Sequence, residues 1–474
     1  MSLHRKSVIS GLYLITDDGE HLLERVEAAL HGGVRVLQYR DKHRSHADRF
    51  ALGSALKELC ARFDVPFIVN DDLELARELD ADGVHLGQDD GDPVRARQLL
   101  GPNKVIGIST HNPEEAATAE AAGADYLGFG AIYPTASKEV GIIQGPEAVR
   151  AIKERVKIPV VAIGGIDRDN APALIDNGID AVAVISAVLA AGEPELAARE
   201  IALLFNRALP QPRGAVLTVA GSDSGGGAGI QGDLKTITLL GSYGASAIAA
   251  LTAQNSTGVT GIHPVPAEFL RDQLDAVLSD LPIDVVKVGM LLSPENAAVL
   301  ADRLRTYRKQ MLVLDTVMVA KGGAHLLDDE AVQVLKKELI PLSYLLTPNV
   351  PEAERLTGLS ITSVEAMVAA TRELHRMGAR NVLLKGGHLE GDEVADLFFD
   401  GSRFAIFTAP RTPTPHTHGT GCALASAIAT FLAQGEPLPA AISRGKQYIT
   451  RAIQFAGPFG KGHGSVNHYR AATP

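Results

Sequence analysis

The first half of the chain carries its chemistry-capable residues in a fixed order. In LQYRDK, Gln38, Arg40 and Lys42 alternate, so in an extended strand all three share one face. An amide and two cations side by side suit an oxygen-rich anion better than a hydrophobic core. Asn70 and Asp71 follow in VNDD, Asp89 and Asp90 in GQDD, and Ser109 in GISTH. Then come Thr135, Ser137 and Lys138 in PTASK, Gly164 and Gly165 in VAIGGI, and Ile185 and Ser186 in VISA. Arg40, Lys42 and Lys138 would attract a polyphosphate that Asp71 and Asp90 alone would repel. A divalent metal reconciles the two sets, because magnesium binds through one or two carboxylates, water and substrate phosphates. The late glycines and serine offer backbone N–H groups to a second phosphate. These residues point to a pyrophosphate with magnesium, plus a separate monophosphate. Taken singly, each has a plainer reading: an Asp after a strand is most often a helix cap, and Asp89 is read that way.

The second half has no G-x-x-x-x-G-K-[ST] loop, so it is not a P-loop nucleotide binder. Its SGGGAGIQGD stretch is glycine-rich, a weak signal alone. HGTGC says more. Gly419, Thr420 and Gly421 lead into an alanine-rich apolar run reaching about Gly435, which reads as a buried helix whose first N–H groups form an anion hole. Cys422 falls in the first turn, where the helix dipole is expected to lower a thiol pKa. The plain alternative is a small buried residue at a helix start. His416 and His418 read as loop histidines without a suitably spaced acidic partner. His463 and His468, in GKGHGSVNH, belong to a closing loop. Asp233 and Lys235 are read as either touching substrate or bracing a first helix.

These residues need elements to hold them. Between Leu12 and Val188 eight β-rich runs alternate with alanine- and leucine-rich helical segments: LYLITD, VRVLQYR, PFIVND, GVHLGQ, KVIGIST, YLGFGAI, PVVAIGG and AVAVISAV. Strand–helix alternation implies parallel βαβ units, and eight of them imply a (β/α)8 barrel, with an open doubly wound sheet as the weaker alternative. The residues collected above would lie at the C-terminal strand ends, where such barrels carry their sites. Two prolines in ALPQPRG mark a linker. The expected division is a barrel over 1–207, a linker over 208–214 and a second domain over 215–474. In that domain strands are expected at SAIAALTAQ, DVVKVGM, MLVLDTVM, YLLTPN and NVLLKGG. A hairpin follows with its turn at Asp400-Gly401. The result would be helices about a mostly parallel sheet.

With 474 residues the chain is too long for one ordinary core, and 46% apolar content with 47 glycines fits a globular α/β protein. Forty-five Lys and Arg against 56 Asp and Glu give a net charge of −11, which argues against nucleic-acid or anionic-membrane partners. Cys60 and Cys422, the 2 cysteines, cannot build a disulfide framework or a cysteine-rich zinc site. The first residues lack a long apolar run, and no stretch is long enough to span a membrane, so a cytoplasmic protein is expected.

Taken together and in order, LQYRDK, VNDD, GVHLGQDD, GISTH, YPTASK, VAIGGI and VISA resemble thiamin-phosphate synthase. That family joins hydroxymethylpyrimidine diphosphate to thiazole phosphate and releases pyrophosphate, by a dissociative mechanism. The resemblance implies that Gln38, Arg40, Lys42, Asn70, Ser109 and Lys138 contact the pyrimidine diphosphate, Arg40 and Lys138 with catalytic roles. It implies magnesium on Asp71 and Asp90, and thiazole phosphate on Thr135, Ser137, Gly165, Ile185 and Ser186. Ser137 departs from a common threonine, and the segment after Lys138 is slightly short. In the second half, AGSDSGGGAGIQGDLKT, TAQNS, KVGML, LDTVMVAKGG, TPNVPEAE, LLKGGH and THGTGC resemble hydroxymethylpyrimidine and hydroxymethylpyrimidine-phosphate kinase. This implies a ribokinase-like α/β/α sandwich using ATP. Cys422 would be the base and Gln254 the pyrimidine reader. Asn349 and Glu352 would organise water around magnesium, and Lys385 with Gly419, Thr420 and Gly421 would steady the phosphoryl group. Ser224 stands where a proline is usual.

The product implied for the second half is the substrate implied for the first. Rival readings are a thiazole tautomerase using His111 or a precursor sensor for the first half, and a pyridoxal kinase for the second. The expected partners are small molecules: the pyrimidine phosphate, its diphosphate, thiazole phosphate and ATP. The sequence leaves oligomeric state open, a homo-oligomer included.

Overall fold

The structure, a computed structural model, describes residues 9–88, 90–135, 143–318 and 329–473. Its backbone divides into two compact units, Met1–Leu209 and Pro210–Pro474.

In the first unit eight strands close a parallel barrel in sequence order, the last pairing with the first. They are β1 (Gly11–Ile15), β2 (Val36–Tyr39), β3 (Phe67–Asn70), β4 (Gly83–Leu86), β5 (Val105–Thr110), β6 (Tyr126–Gly130), β7 (Val160–Ile163) and β8 (Ala181–Val184). Alternation sorts their side chains. Leu12, Leu14, Leu37, Tyr39, Phe67 and Val69 join the core shared with the surrounding helices. Tyr13, Ile15, Val36, Ile68, Val105, Tyr126 and Val161 form a second cluster that fills the barrel.

All eight strands are shorter than the runs read from the sequence, and at β2 and β8 the difference moves candidate site residues off the strand. β2 ends at Tyr39, so of the alternating trio only Gln38 lies within the strand. Arg40 and Lys42 follow it on a turn braced by two neighbours. The Thr16 hydroxyl accepts the Arg40 N–H at 2.9 Å and donates to the Arg40 carbonyl at 3.0 Å. Buried Asp41 accepts the N–H groups of His43 and Arg44 and the Arg44 guanidinium. Burial alone would raise the Asp41 carboxyl, but these donors hold it down at about 2. β8 ends at Val184, which leaves Ile185 as the lead into the short helix Ser186–Leu189.

The second unit holds a nine-stranded sheet, ordered β11-β10-β9-β12-β13-β14-β15-β16-β17. The strands are β9 (Ala215–Asp223), β10 (Tyr243–Asn255), β11 (Gly258–Pro264), β12 (Val285–Val288), β13 (Leu312–Leu314), β14 (Leu345–Leu346), β15 (Asn381–Leu384), β16 (Glu393–Phe399) and β17 (Phe404–Pro410). β9, β10 and β12 to β15 pair in parallel, while β11 at one edge and β16 and β17 at the other run antiparallel. β11 was absent from the sequence expectation: its GVTGIHP is mostly exposed and lacks an apolar face. The hairpin turn forms as expected, with the Asp400 carboxylate accepting the N–H groups of Ser402 and Arg403. The alanine-rich run is the helix Thr420–Ala433, buried from Ala423 onward. The closing segment includes one further helix, His468–Ala472. Among the described residues no helix is long and apolar enough to cross a membrane.

Candidate active sites

At the barrel mouth, buried Gln38 donates through Nε2 to Asn70 Oδ1 at 3.1 Å, and Asn70 Nδ2 donates to Asp71 Oδ2 at 2.6 Å. Lys42 Nζ stands 3.9 Å from the same carboxylate oxygen. Asp71 has a φ of 63°, the left-handed conformation that turns the chain off β3. Burial pushes the Asp71 carboxyl above the usual range, and neighbouring Asp90 adds to the effect. A side chain at Gly87 would collide with the Asp90 carboxylate, so that glycine makes room for it. Strand ends β2, β3 and β4 thus bring Gln38, Lys42, Asn70, Asp71 and Asp90 together. The Arg40 guanidinium has no hydrogen bond or ion pair among the described residues.

Ser109, at the end of β5, meets His85 Nε2 at 3.0 Å. The sequence reading passed over His85, although the alternation that selects Gln38 also selects His85 within GVHLGQ. Gly164 and Gly165 both take positive φ after β7, and a side chain at Gly165 would collide with the Pro134 carbonyl just before Thr135. The Gly164 carbonyl accepts the Tyr133 N–H at 3.0 Å, and that of Gly165 accepts Asn170 Nδ2 at 2.8 Å. This turn and the Ile185–Ser186 start of the next helix follow neighbouring strands, β7 and β8. Ser137, Lys138 and Asp89 lie outside the described residues. His111 is exposed and pairs with Glu115 of its own turn at 3.1 Å.

In the second unit a cleft of about 800 Å³ takes in Gln254, Asp315, Asn349, Glu352, Lys385 and the Gly419–Cys422 turn. Lys385 Nζ donates to Asp315 Oδ1 at 2.8 Å. The other oxygen, Asp315 Oδ2, is buried without a partner among the described residues. Asp315 was missed in the sequence although LDTVMVAKGG contains it; one Asp after a strand has too many ordinary explanations. Asn349 and Glu352 turn out to be a capping box for the helix Val350–Thr357. The Glu352 N–H donates to Asn349 Oδ1 at 2.9 Å, and the Asn349 N–H donates to Glu352 Oε2 at 2.8 Å. Burial pushes the Glu352 carboxyl up to about 7; Lys385 works against this and Asp315 with it.

Two expectations are corrected here. Cys422 does sit in the first helical turn, but its thiol is not lowered: burial pushes it up to about 11, with Asp233 and Asp315 adding to the rise, against the buried Lys287 and a backbone hydrogen bond with Gly229. His418 does have an acidic partner, Asp223, whose Oδ2 lies 2.9 Å from His418 Nε2. The sequence could not pair them because they are 195 residues apart. Asp223 also accepts the N–H groups of Gly225, Gly227 and Ala228, so the glycine-rich loop is wrapped around a carboxylate. Although burial opposes it, His418 and these amides hold the Asp223 carboxyl below its usual range. The Gln254 carboxamide lies between Thr252 Oγ1 at 3.2 Å and His418 Nε2 at 3.4 Å. Asp233 is structural: it is fully buried and bonded to Lys287 Nζ, Thr218 and Ser426. Lys235 donates to the Gly226 carbonyl at 2.6 Å.

Among the described residues no three His, Cys, Asp or Glu side chains cluster closely enough to hold a metal by themselves. Each site instead offers two carboxylates, Asp71 with Asp90 and Asp315 with Glu352. Two carboxylates suit magnesium when phosphate and water complete the shell. The orphaned oxygen of Asp315 and the mutual repulsion at Asp71 are what a cation would relieve.

The thiamine monophosphate synthase family matches residues 12–188, and the phosphomethylpyrimidine kinase family matches residues 223–467. The thiamine biosynthesis bifunctional protein ThiED of Geobacter sulfurreducens is 62% identical over 98% of this chain and 95% of its own length. The hydroxymethylpyrimidine/phosphomethylpyrimidine kinase of Bacillus subtilis is 48% identical over 53% of this chain and 94% of its own. Among solved structures, an ADP complex of Bacillus subtilis pyridoxal kinase is 33% identical with a TM-score of 0.52, covering 54% of this chain and 98% of that one. Two paired carboxylate sites on two folds, matched end to end by a two-activity relative, leave one assignment: the chain belongs to the bifunctional thiamine-biosynthesis family, a thiamine monophosphate synthase and a phosphomethylpyrimidine kinase on one polypeptide.

Proposed function

We propose that the two activities use the two sites as follows. In the cleft of the second unit, the pyrimidine phosphate receives a phosphoryl group from ATP and becomes the diphosphate. At the barrel mouth of the first unit, that diphosphate loses pyrophosphate, and the thiazole nitrogen captures the pyrimidinyl-methyl cation left behind. The observation that carries this reading is the continuous Gln38–Asn70–Asp71 chain with Lys42 and Asp90 beside it.

Arg40 and Lys42, together with Lys138, stabilise charge as it develops on the leaving pyrophosphate; one such donor is commonly worth roughly 3–4 kcal/mol. Asp71 and Asp90 would hold magnesium, which would share that charge. Gly165, Ile185 and Ser186 offer backbone N–H groups, with Thr135 and Ser137, to the thiazole phosphate. In the kinase cleft Lys385 and the Gly419–Gly421 turn position the phosphoryl group, and Asp315, Asn349 and Glu352 would serve a magnesium site. To act as base, Cys422 must first lose its own proton to solvent; the thiolate then takes the substrate's proton late, once the oxygen is bonding to phosphorus. Charged, soluble substrates suit a cytoplasmic setting.

The test mixes ATP, magnesium, the pyrimidine monophosphate and isotope-labelled thiazole phosphate with the intact chain. Labelled thiamin phosphate is expected. Arg40→Ala should accumulate the diphosphate, while Cys422→Ala should form none yet still couple diphosphate supplied to it. Failure to couple supplied diphosphate would favour the tautomerase or sensor reading of the barrel. Faster phosphorylation of pyridoxal than of the pyrimidine would overturn the kinase assignment.

A further inference from the structure

A hydrogen-bond chain runs up the inside of the barrel to its mouth. The Tyr13 and Tyr126 hydroxyls lie 2.9 Å apart, Tyr126 OH lies 3.0 Å from His85 Nδ1, and His85 Nε2 lies 3.0 Å from Ser109 Oγ. Both tyrosines are buried, whereas Ser109 is half-buried at the rim. The rings fit because two inward positions lack side chains. A Cβ at Gly107 would collide with the Tyr126 ring, and one at Gly128 would come within 2.9 Å of His85 Cε1.

The chain has two possible directions. If protons point inward, Ser109 donates to His85 Nε2, His85 Nδ1–H donates to Tyr126, and Tyr126 donates to Tyr13. The Tyr13 hydrogen then has no acceptor, because among the described residues its hydroxyl has only Tyr126 as a partner. Protonating both ring nitrogens leaves the same orphan. If protons point outward, Tyr13 donates to Tyr126, Tyr126 to His85 Nδ1, and His85 Nε2–H to Ser109 Oγ. Only the Ser109 hydrogen is then left over, at the rim, where a ligand can accept it.

We infer that the dead end at Tyr13 sets the direction of this chain, fixing His85 as the Nε2–H tautomer and Ser109 as a hydrogen-bond donor to the substrate. Since the inference rests on the synthase reading, the acceptor is a phosphate oxygen or a ring nitrogen of the pyrimidine diphosphate, not its amino group. His85 and Tyr126 act through Ser109 and are positioning residues.

The test uses the full chain with ¹⁵N-labelled histidine, the His85 signals being assigned by their loss in His85→Gln. A protonated Nε2 and a bare Nδ1 are expected in the wild type, and in Tyr13→Phe as well, since Tyr126 then becomes the dead end. Tyr126→Phe should lose the tautomer preference and raise KM for the pyrimidine diphosphate about tenfold, the scale of one hydrogen bond. In a Ser109→Ala background, Tyr126→Phe should have no further effect on that KM. A proton on His85 Nδ1 in the wild type overturns the inference, whether or not any variant folds. So does an unchanged KM in Tyr126→Phe, or an undiminished effect in the Ser109→Ala background. A wild type that makes no thiamin phosphate from supplied diphosphate would sink the synthase reading while leaving the tautomer result standing.

Discussion

At the barrel mouth the Arg40 guanidinium has no partner among the described residues, and Lys42 comes only within 3.9 Å of Asp71. In the kinase unit, Lys385 is bonded to Asp315 at 2.8 Å, Lys287 to Asp233 at 2.9 Å, and Lys446 to Asp396 at 2.6 Å. The first arrangement waits for charge; the second has already placed it. The contrast follows from position. Residues beyond a strand end stay in water, so an unpaired cation there costs little until a polyanion arrives. Lysines inside a sheet-and-helix unit cannot be desolvated alone, so each is buried with a carboxylate that fixes its geometry. Under the roles proposed above, Arg40 and Lys42 for a departing pyrophosphate and Lys385 for a transferred phosphoryl group, the same residue types are used in opposite states.

The largest effect is expected where the barrel site depends on charges that the ligand completes. Asp71→Asn should lower synthase kcat/KM by about 100-fold or more, while kinase turnover on the same chain stays unchanged. Comparable losses in both assays would show that the two sites are not independent. A smaller effect should appear in the kinase unit without metal. Glu352 has an ordinary pKa of 4.5 and is raised to about 7 in the fold. Between those values the native state binds more protons than the unfolded one, so stability falls as pH rises through this window, by up to roughly 3 kcal/mol. Glu352→Gln should flatten that fall in denaturant titrations of the kinase unit at a series of pH values.

The smallest effect concerns a buried neutral group. His468 is buried against Thr236 Oγ1 at 3.2 Å and Tyr448 OH at 3.1 Å. Burial, aided by Lys235, lowers its pKa from 6.5 to about 4. Here the unfolded state binds the extra proton, so stability present above 6.5 is lost as pH falls toward 4. At pH 5 the loss should be about 2 kcal/mol, and His468→Gln should remove that part of the acid sensitivity. An acid limb unchanged by the substitution would mean that His468 is not held neutral.

Much of the fold and of both sites was legible because it is local. Eight apolar runs separated by helical patterns imply the barrel, and alternation within LQYRDK picks out Gln38, although Arg40 and Lys42 prove to lie beyond the strand end and the same alternation in GVHLGQ was not followed to His85. Asp400-Gly401 marks its hairpin, and GTG before an apolar run marks a helix start. What escaped was non-local or two-sided. β11 has no apolar face to announce it. Asn349 and Glu352 have the spacing of a capping box and of a metal site alike. The thiol of Cys422 was expected to fall because the helix start is visible in the sequence, whereas the burial that raises it is not.

The sequence by itself determined the order of elements, the division into two anion-handling halves and most of the residues at each mouth, because these depend on periodicities a few residues long. Only the tertiary structure decided which polar groups become partners: His418 with Asp223, Lys287 with Asp233, Tyr13 with Tyr126 across 113 positions. Those pairings, and the protonation states that follow from them, depend on which strands and helices exclude water together, and no short window of sequence carries that information.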